Sequence, residues 1–122
     1  MNIPEDLLYT DHDEWIRVEG NVLTIGISDF AQDQLGELVH VELPEVGSEL
    51  GAGDMACEVE SVKAVAEVYA PVAGTVVAVN EDLEDEAEKI NEDPYGSWIF
   101  KLEIDGAVEG FLDATAYAAK VS

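Results

Sequence analysis

Two short runs of alternating character meet at a lysine, and together they leave little choice of local structure. Asp54 to Ser61 sets Met55, Cys57 and Val59 against Ala56, Glu58 and Glu60, while Ala64 to Ala70 is small and β-branched and stops at Pro71. Period-two alternation on both sides of a tight connection predicts a β-hairpin with Lys63 at or beside its tip. The connection lacks Asn-Gly or Asp-Gly, so its turn type is not legible. A side chain at a hairpin tip stands clear of the sheet, within reach of another molecule. Most lysines in such places are solvated surface charges. This one is among only four lysines, and its neighbours are Val62 and Ala64 rather than the carboxylates that fill the rest of the chain.

Short strands and compact turns continue on either side. Residues 1 to 12 read as an irregular lead-in. Asp13 to Glu19 and Val22 to Ile27 read as strands about a Gly20-Asn21 turn. Ser28 to Gly36 has the marks of a short helix: Ser28 as cap, Asp29 at the positive end, Gly36 suited to a left-handed stop. Leu38 to Leu43 is a strand ending at Pro44, and the glycine-rich 46–54 stretch reads as turns, without the spacing or lysine of a phosphate-binding loop. Gly36-Glu37-Leu38-Val39-His40-Val41 is echoed by Gly74-Thr75-Val76-Val77-Ala78-Val79, 38 residues later. Two copies suit a pseudo-symmetric sandwich whose halves face each other. Asn80 to Glu92 is acidic, with Leu83 and Ile90 as anchors. Residues 91–96 form a turn-rich loop before a strand over Trp98 to Ile104. Phe111 to Lys120 reads as a terminal helix, rich in alanine, with Asp113 as a cap.

With 122 residues the chain fits one domain spanning 1–122. Five cationic residues against 28 acidic ones give a net charge of −23, which argues against nucleic acid and anionic membrane surfaces as partners. Such mutual repulsion is tolerable in high salt, so a halophilic source is expected. No apolar run is long enough for a membrane span, and residues 1–6 lack the pattern of a secretory signal. A cytoplasmic protein is the expectation. Cys57 is the only cysteine and falls on an apolar strand face, as a small buried hydrophobe would. His12 and His40 give no metal-site spacing, and no metal is expected.

The run Glu60-Ser61-Val62-Lys63-Ala64 resembles the lipoylation site of glycine cleavage H proteins. Tyr9-Thr10 with Glu14-Trp15, the Ser28–Gly36 helix, the Asn91–Gly96 loop and the Leu112-Asp113-Ala114 helix start are similar to the same family. The likeness therefore covers nearly the whole chain. In the family a histidine usually precedes Glu-Trp; Asp13 stands there here, with His12 one residue earlier. A biotin carrier would have Met on both sides of its lysine, where this chain has Val62 and Ala64. An enzyme using Lys63 as a Schiff-base nucleophile would need a desolvated pocket, which an open tip does not provide.

The resemblance implies a mainly β fold, a lipoyl/biotinyl-type barrel-sandwich hybrid of two antiparallel sheets with a short internal helix and a C-terminal helix. It implies a monomeric carrier rather than an enzyme, with lipoate attached to Lys63. The carrier would take the aminomethyl remnant of glycine from a pyridoxal-phosphate glycine decarboxylase to a tetrahydrofolate-dependent aminomethyltransferase, and its dithiol to a dihydrolipoamide dehydrogenase. A lipoate-attaching enzyme would modify it, reading Glu60, Ser61, Val62, Ala64 and Gly74, the last expected as a turn glycine under the hairpin. Glu14, Glu67 and His12 would line a cleft for the arm, where carboxylates suit a cationic amine. An H-like protein relaying lipoate or octanoate to other enzymes is the alternative on the same fold.

Overall fold

A computed structural model describes residues 1–121. Two antiparallel sheets share one apolar core. The first has six strands: β1 (Leu8–Tyr9), β2 (Glu14–Glu19), β3 (Val22–Ile27), β5 (Glu49–Leu50), β8 (Gly74–Val79) and β9 (Phe100–Glu103), in the order β1-β2-β3-β9-β8-β5. The second has three: β4 (Leu38–Glu42), β6 (Met55–Ser61) and β7 (Val65–Tyr69), in the order β4-β6-β7. Ile16, Leu23, Ile25, Val76, Phe100 and Leu102 from the larger sheet pack with Val41, Cys57, Val59 and Val68 from the smaller. The fold expected from the sequence is the one observed.

The two echoed segments become β4 and β8, one in each sheet. Their glycines do different jobs. Gly36 has φ +80° and donates to Gln32 O, closing helix α1 (Asp29–Leu35). Gly74 is not the turn glycine expected from the sequence. It opens β8, and a Cβ there would lie 2.5 Å from the Glu103 carbonyl oxygen and 2.8 Å from a Leu102 side-chain carbon. Close packing of β8 on β9 accounts for it.

Local signals held where they involved caps and turns. The Ser28 hydroxyl accepts from Ala31 N and so caps α1. The acidic run forms two single turns, α2 (Asp82–Asp85) and α3 (Lys89–Glu92), pinned by the fully buried Leu83 and Ile90. Boundaries shifted where long-range pairing intervened. The lead-in contains β1, and the glycine-rich stretch contains β5. The last strand begins at Phe100, not Trp98. Helix α4 (Ala114–Val121) starts three residues later than expected, because Leu112 exchanges two backbone hydrogen bonds with Tyr9. Asp113 then caps the helix through Ala116 N.

A second, aromatic cluster of Tyr9, Trp15 and Tyr117 sits outside the shared core. Tyr9 and Tyr117 stack with centroids 4.5 Å apart. The Tyr117 hydroxyl bonds to Ser28 Oγ at 2.6 Å and to Asp13 at 2.9 Å. This network ties α4 to the loop before β2 and to the start of α1. It also helps hold Asp13, which has φ +67°. Among the described residues, no helix is long and apolar enough to cross a membrane.

Candidate functional site

The β6–β7 hairpin closes over Val62 and Lys63, and a serine shapes the turn. Ser61 N donates to Ala64 O at 2.8 Å. The return bond is made by the side chain: Ser61 Oγ accepts from Ala64 N at 3.0 Å and from Lys63 N at 3.2 Å. The hydroxyl also lies within donating distance of Ala64 O. Neither Val62 nor Lys63 has positive φ, so the turn is not one of the mirror-image types that favour Asn-Gly. The turn is further fixed by Val62 N donating to Glu37 O. Ser61 is buried, while Val62, Lys63, Ala64 and Val65 are exposed.

The charges around this tip set Lys63 apart. Of the five cations, Arg17 lies over the Trp15 ring and Lys101 over Trp98. Lys89 pairs with Asp82 and Glu86, and Lys120 with Asp13. Among the described residues, the Lys63 amine alone has neither an ion-pair nor a ring partner, in a chain with 28 acids. Its chain passes over the end of α1, with Cε 3.5 Å from where a Cβ on Gly36 would be.

A groove of about 180 Å³ lies beside that point. Its floor is apolar: Ile27, Ala31, Leu35, Val59, Ala66 and Val68. Its polar rim includes Gln34 of α1, Glu67 of β7, and His12 and Asp13 of the lead-in loop. Leu35 immediately precedes Gly36, so one end of the groove adjoins the lysine chain. At a rise of about 3.3 Å per strand residue, Glu67 lies about 7 Å along β7 from Val65, the first strand residue after the turn.

The structure brings the three expected cleft residues near one another but gives them different roles. Glu67 is exposed at the rim. His12 is exposed and borders both this groove and a neighbouring cavity of about 230 Å³. Glu14 is not a free lining carboxylate. It is 1% exposed, and its oxygens accept from Thr10 Oγ1 at 2.8 Å and Tyr69 N at 2.7 Å. Burial raises its pKa, opposed by those hydrogen bonds. It faces the neighbouring cavity and works as a strut between the loop and β7.

Tyr69 is the residue that sequence reasoning missed. Its hydroxyl donates to Glu67 Oε2 at 2.8 Å, its N–H serves Glu14, and its ring lies 4.6 Å from that of His12. The spacing of Glu67 and Tyr69, two residues apart in a strand, was the available signal. It places both on one face.

Glu60 is exposed in a cross-strand row with His40 and Val65. His40 is exposed on β4. The next row sets three carboxylates side by side, Glu42, Glu58 and Glu67.

Comparison with known proteins bears on this arrangement. The glycine cleavage H-protein family model matches residues 7–122. A glycine cleavage system H protein of Alteromonas mediterranea is 56% identical over 120 residues, covering 95% of this chain and 93% of that protein. A probable glycine cleavage system H protein of Pyrococcus horikoshii is 53% identical over 120 residues, covering 95% and 90%. The crystal structure of a glycine cleavage system H protein from Mycobacterium marinum superposes with a TM-score of 0.89 at 39% identity, covering 97% of this chain and 98% of that one. By sequence along nearly its whole length, and by fold, this chain belongs to the glycine cleavage H-protein family.

Proposed function

We propose that Lys63 bears the lipoyl arm of this carrier and that the groove beside α1 receives it. As an H protein, the chain is a lipoyl shuttle of the glycine cleavage system and not an enzyme. The observation that carries the assignment is the unpaired Lys63 amine, exposed on a fixed turn in a strongly acidic chain. Lipoate, when bound, supplies a dithiolane for aminomethyl transfer and thiol–disulfide chemistry.

The chain's own residues suit that group. Ser61 fixes the turn and so presents the amine to a lipoate-attaching enzyme. Glu60, Val62 and Ala64 are the exposed surface around it that such an enzyme can read. Gly74 is explained by packing on β9, and recognition by the enzyme is not needed to account for it. The apolar groove floor suits an aliphatic chain. Glu67 and His12 at its rim set a carboxylate and an imidazole where a cationic end group would emerge, while Glu14 braces the wall. Tethering cargo to one residue gives each partner a high effective concentration of it. The partners proposed are the glycine decarboxylase, the aminomethyltransferase and dihydrolipoamide dehydrogenase, meeting a monomeric carrier in the cytoplasm.

Intact mass with peptide mapping, after incubation with lipoate, ATP and a lipoate ligase, tests the attachment. One lipoyl increment on the Lys63 peptide, absent in Lys63→Arg, is expected. No increment on folded protein under conditions where the ligase modifies a control substrate would reject Lys63.

We also propose that the chain is one folding unit over 1–122, adapted to a salty interior. The core shared by both sheets supports the first point. The opposed carboxylates of Glu42, Glu58 and Glu67 support the second, because directly opposed like charges repel unless screened. Unfolding midpoints should rise steeply along a potassium chloride series. Equal stability in dilute buffer would remove the salt argument.

A further inference from the structure

Contacts to all three expected cleft residues converge on Tyr69, from separate parts of the chain. Its N–H reaches Glu14 of β2, its ring reaches His12 of the lead-in loop, and its hydroxyl reaches Glu67 on its own strand. The last contact works against a local force. Glu67 stands directly opposite Glu58, with Glu42 one strand further on. Repulsion across that row favours an outward swing of the Glu67 side chain. The phenol counters this with a hydrogen bond to a charged acceptor, the stronger kind. The hydrogen bond to the Glu67 carboxylate in turn pushes the Tyr69 pKa upward. Tyr69 also borders the neighbouring cavity, and its ring partner His12 borders both that cavity and the groove.

We infer that Tyr69 is a positioning residue of the arm groove, holding the Glu67 carboxylate at the groove rim where it meets the cationic amine of a loaded arm. This rests on the reading of Lys63 and the groove given above. It goes beyond that reading in making the placement of Glu67, and not only its charge, depend on one phenol.

Two measurements test it. In unmodified protein with ζ-carbon-labelled tyrosines, the pH midpoint of the Tyr69 carbon resonance is expected to fall toward the ordinary tyrosine value in Glu67→Gln. An unmoved midpoint means that the hydrogen bond is absent in solution and overturns the inference. In lipoylated protein loaded by the decarboxylase with glycine and then freed of it, the rate of ammonia loss to water is followed. Tyr69→Phe keeps the ring against His12 and the N–H on Glu14. It is expected to speed the loss about tenfold, the effect of one hydrogen bond to a charged group. Glu67→Gln should speed it at least as much, and the double variant no more than Glu67→Gln alone, because the two act through one contact. Unfolding midpoints of all variants are matched first. A merely structural role would lower the midpoint and leave the loss rates unchanged or multiplying. If Glu67→Gln shortens the lifetime and Tyr69→Phe does not, the groove stands and the inference falls. If Glu67→Gln has no effect, both fall.

Discussion

Trp15 lies within β2 and Lys63 on the turn that joins β6 to β7, and the molecule treats them in opposite ways. Trp15 is fully buried on β2, and its partner across β3 is Gly26, whose missing side chain makes room for the indole. Its ring N–H donates to Pro94 O, and Arg17 covers its face. Lys63 stands between the exposed Val62 and Ala64, and no described residue pairs with its amine. Around Trp15 the chain satisfies its groups internally. Around Lys63 it fixes the backbone and leaves the side chains to other molecules. The contrast suggests that stability is concentrated at the aromatic end and accessibility at the hairpin, and substitutions can test that division.

The largest effect is expected at Gly26→Ala, where the new Cβ would sit 2.7 Å from the Trp15 ring. Overpacking at a buried strand should cost about 3 kcal/mol, read as a lower urea midpoint at fixed salt. An unchanged midpoint would show that the indole can move aside and that this end is looser than its packing implies. Tyr117→Phe removes the hydroxyl that joins Ser28 and Asp13, for a loss of about 2 kcal/mol. At Ser61→Ala the order of effects should reverse. The turn loses its side-chain bonds for about 1 kcal/mol of stability, while the lipoylation rate falls by the larger factor. Val62→Thr should change stability by less than about 0.5 kcal/mol, so any change in lipoylation rate there reports recognition alone. A Val62→Thr effect on stability as large as that of Tyr117→Phe would erase the distinction between the two regions.

Glu14 sharpens the comparison, because it sits between the two ends. Burial lifts its folded pKa above the unfolded value, so the folded state keeps the proton to higher pH. Its stabilising contribution is therefore complete below the ordinary carboxylate range and lost as pH rises through the folded pKa. Glu14→Gln does not titrate there. Wild type should gain stability relative to this variant as pH falls from 7 toward that range, in paired urea titrations. A pH-independent difference would mean that Glu14 is solvated and the strut is open.

What the sequence made legible follows from what is local. The Ser28 cap, the Gly20-Asn21 turn, the Leu83 and Ile90 anchors and the Lys63 hairpin all depend on residues close together in the chain. The start of α4 is not legible because Phe111 and Leu112 look helical by neighbourhood, whereas Leu112 pairs with Tyr9, more than a hundred residues away. Gly74 looks like a turn glycine for the same reason, whereas its constraint is the Glu103 carbonyl. Family likeness points to Glu67 and His12. Their linkage through Tyr69 depends on how the lead-in loop crosses β7, which no local pattern encodes. The family likeness points to Glu14 too, but its near-complete burial depends on the fold.

Cys57 carries a consequence for redox chemistry. It is 4% exposed, and burial with nearby carboxylates pushes its pKa up to about 12. The thiolate, not the thiol, attacks a disulfide. At neutral pH this chain therefore presents essentially no nucleophilic sulfur of its own. A dithiolane borne on its surface would be safe from internal scrambling and mixed-disulfide traps, and the electrons it exchanges would be set by the proteins that visit it.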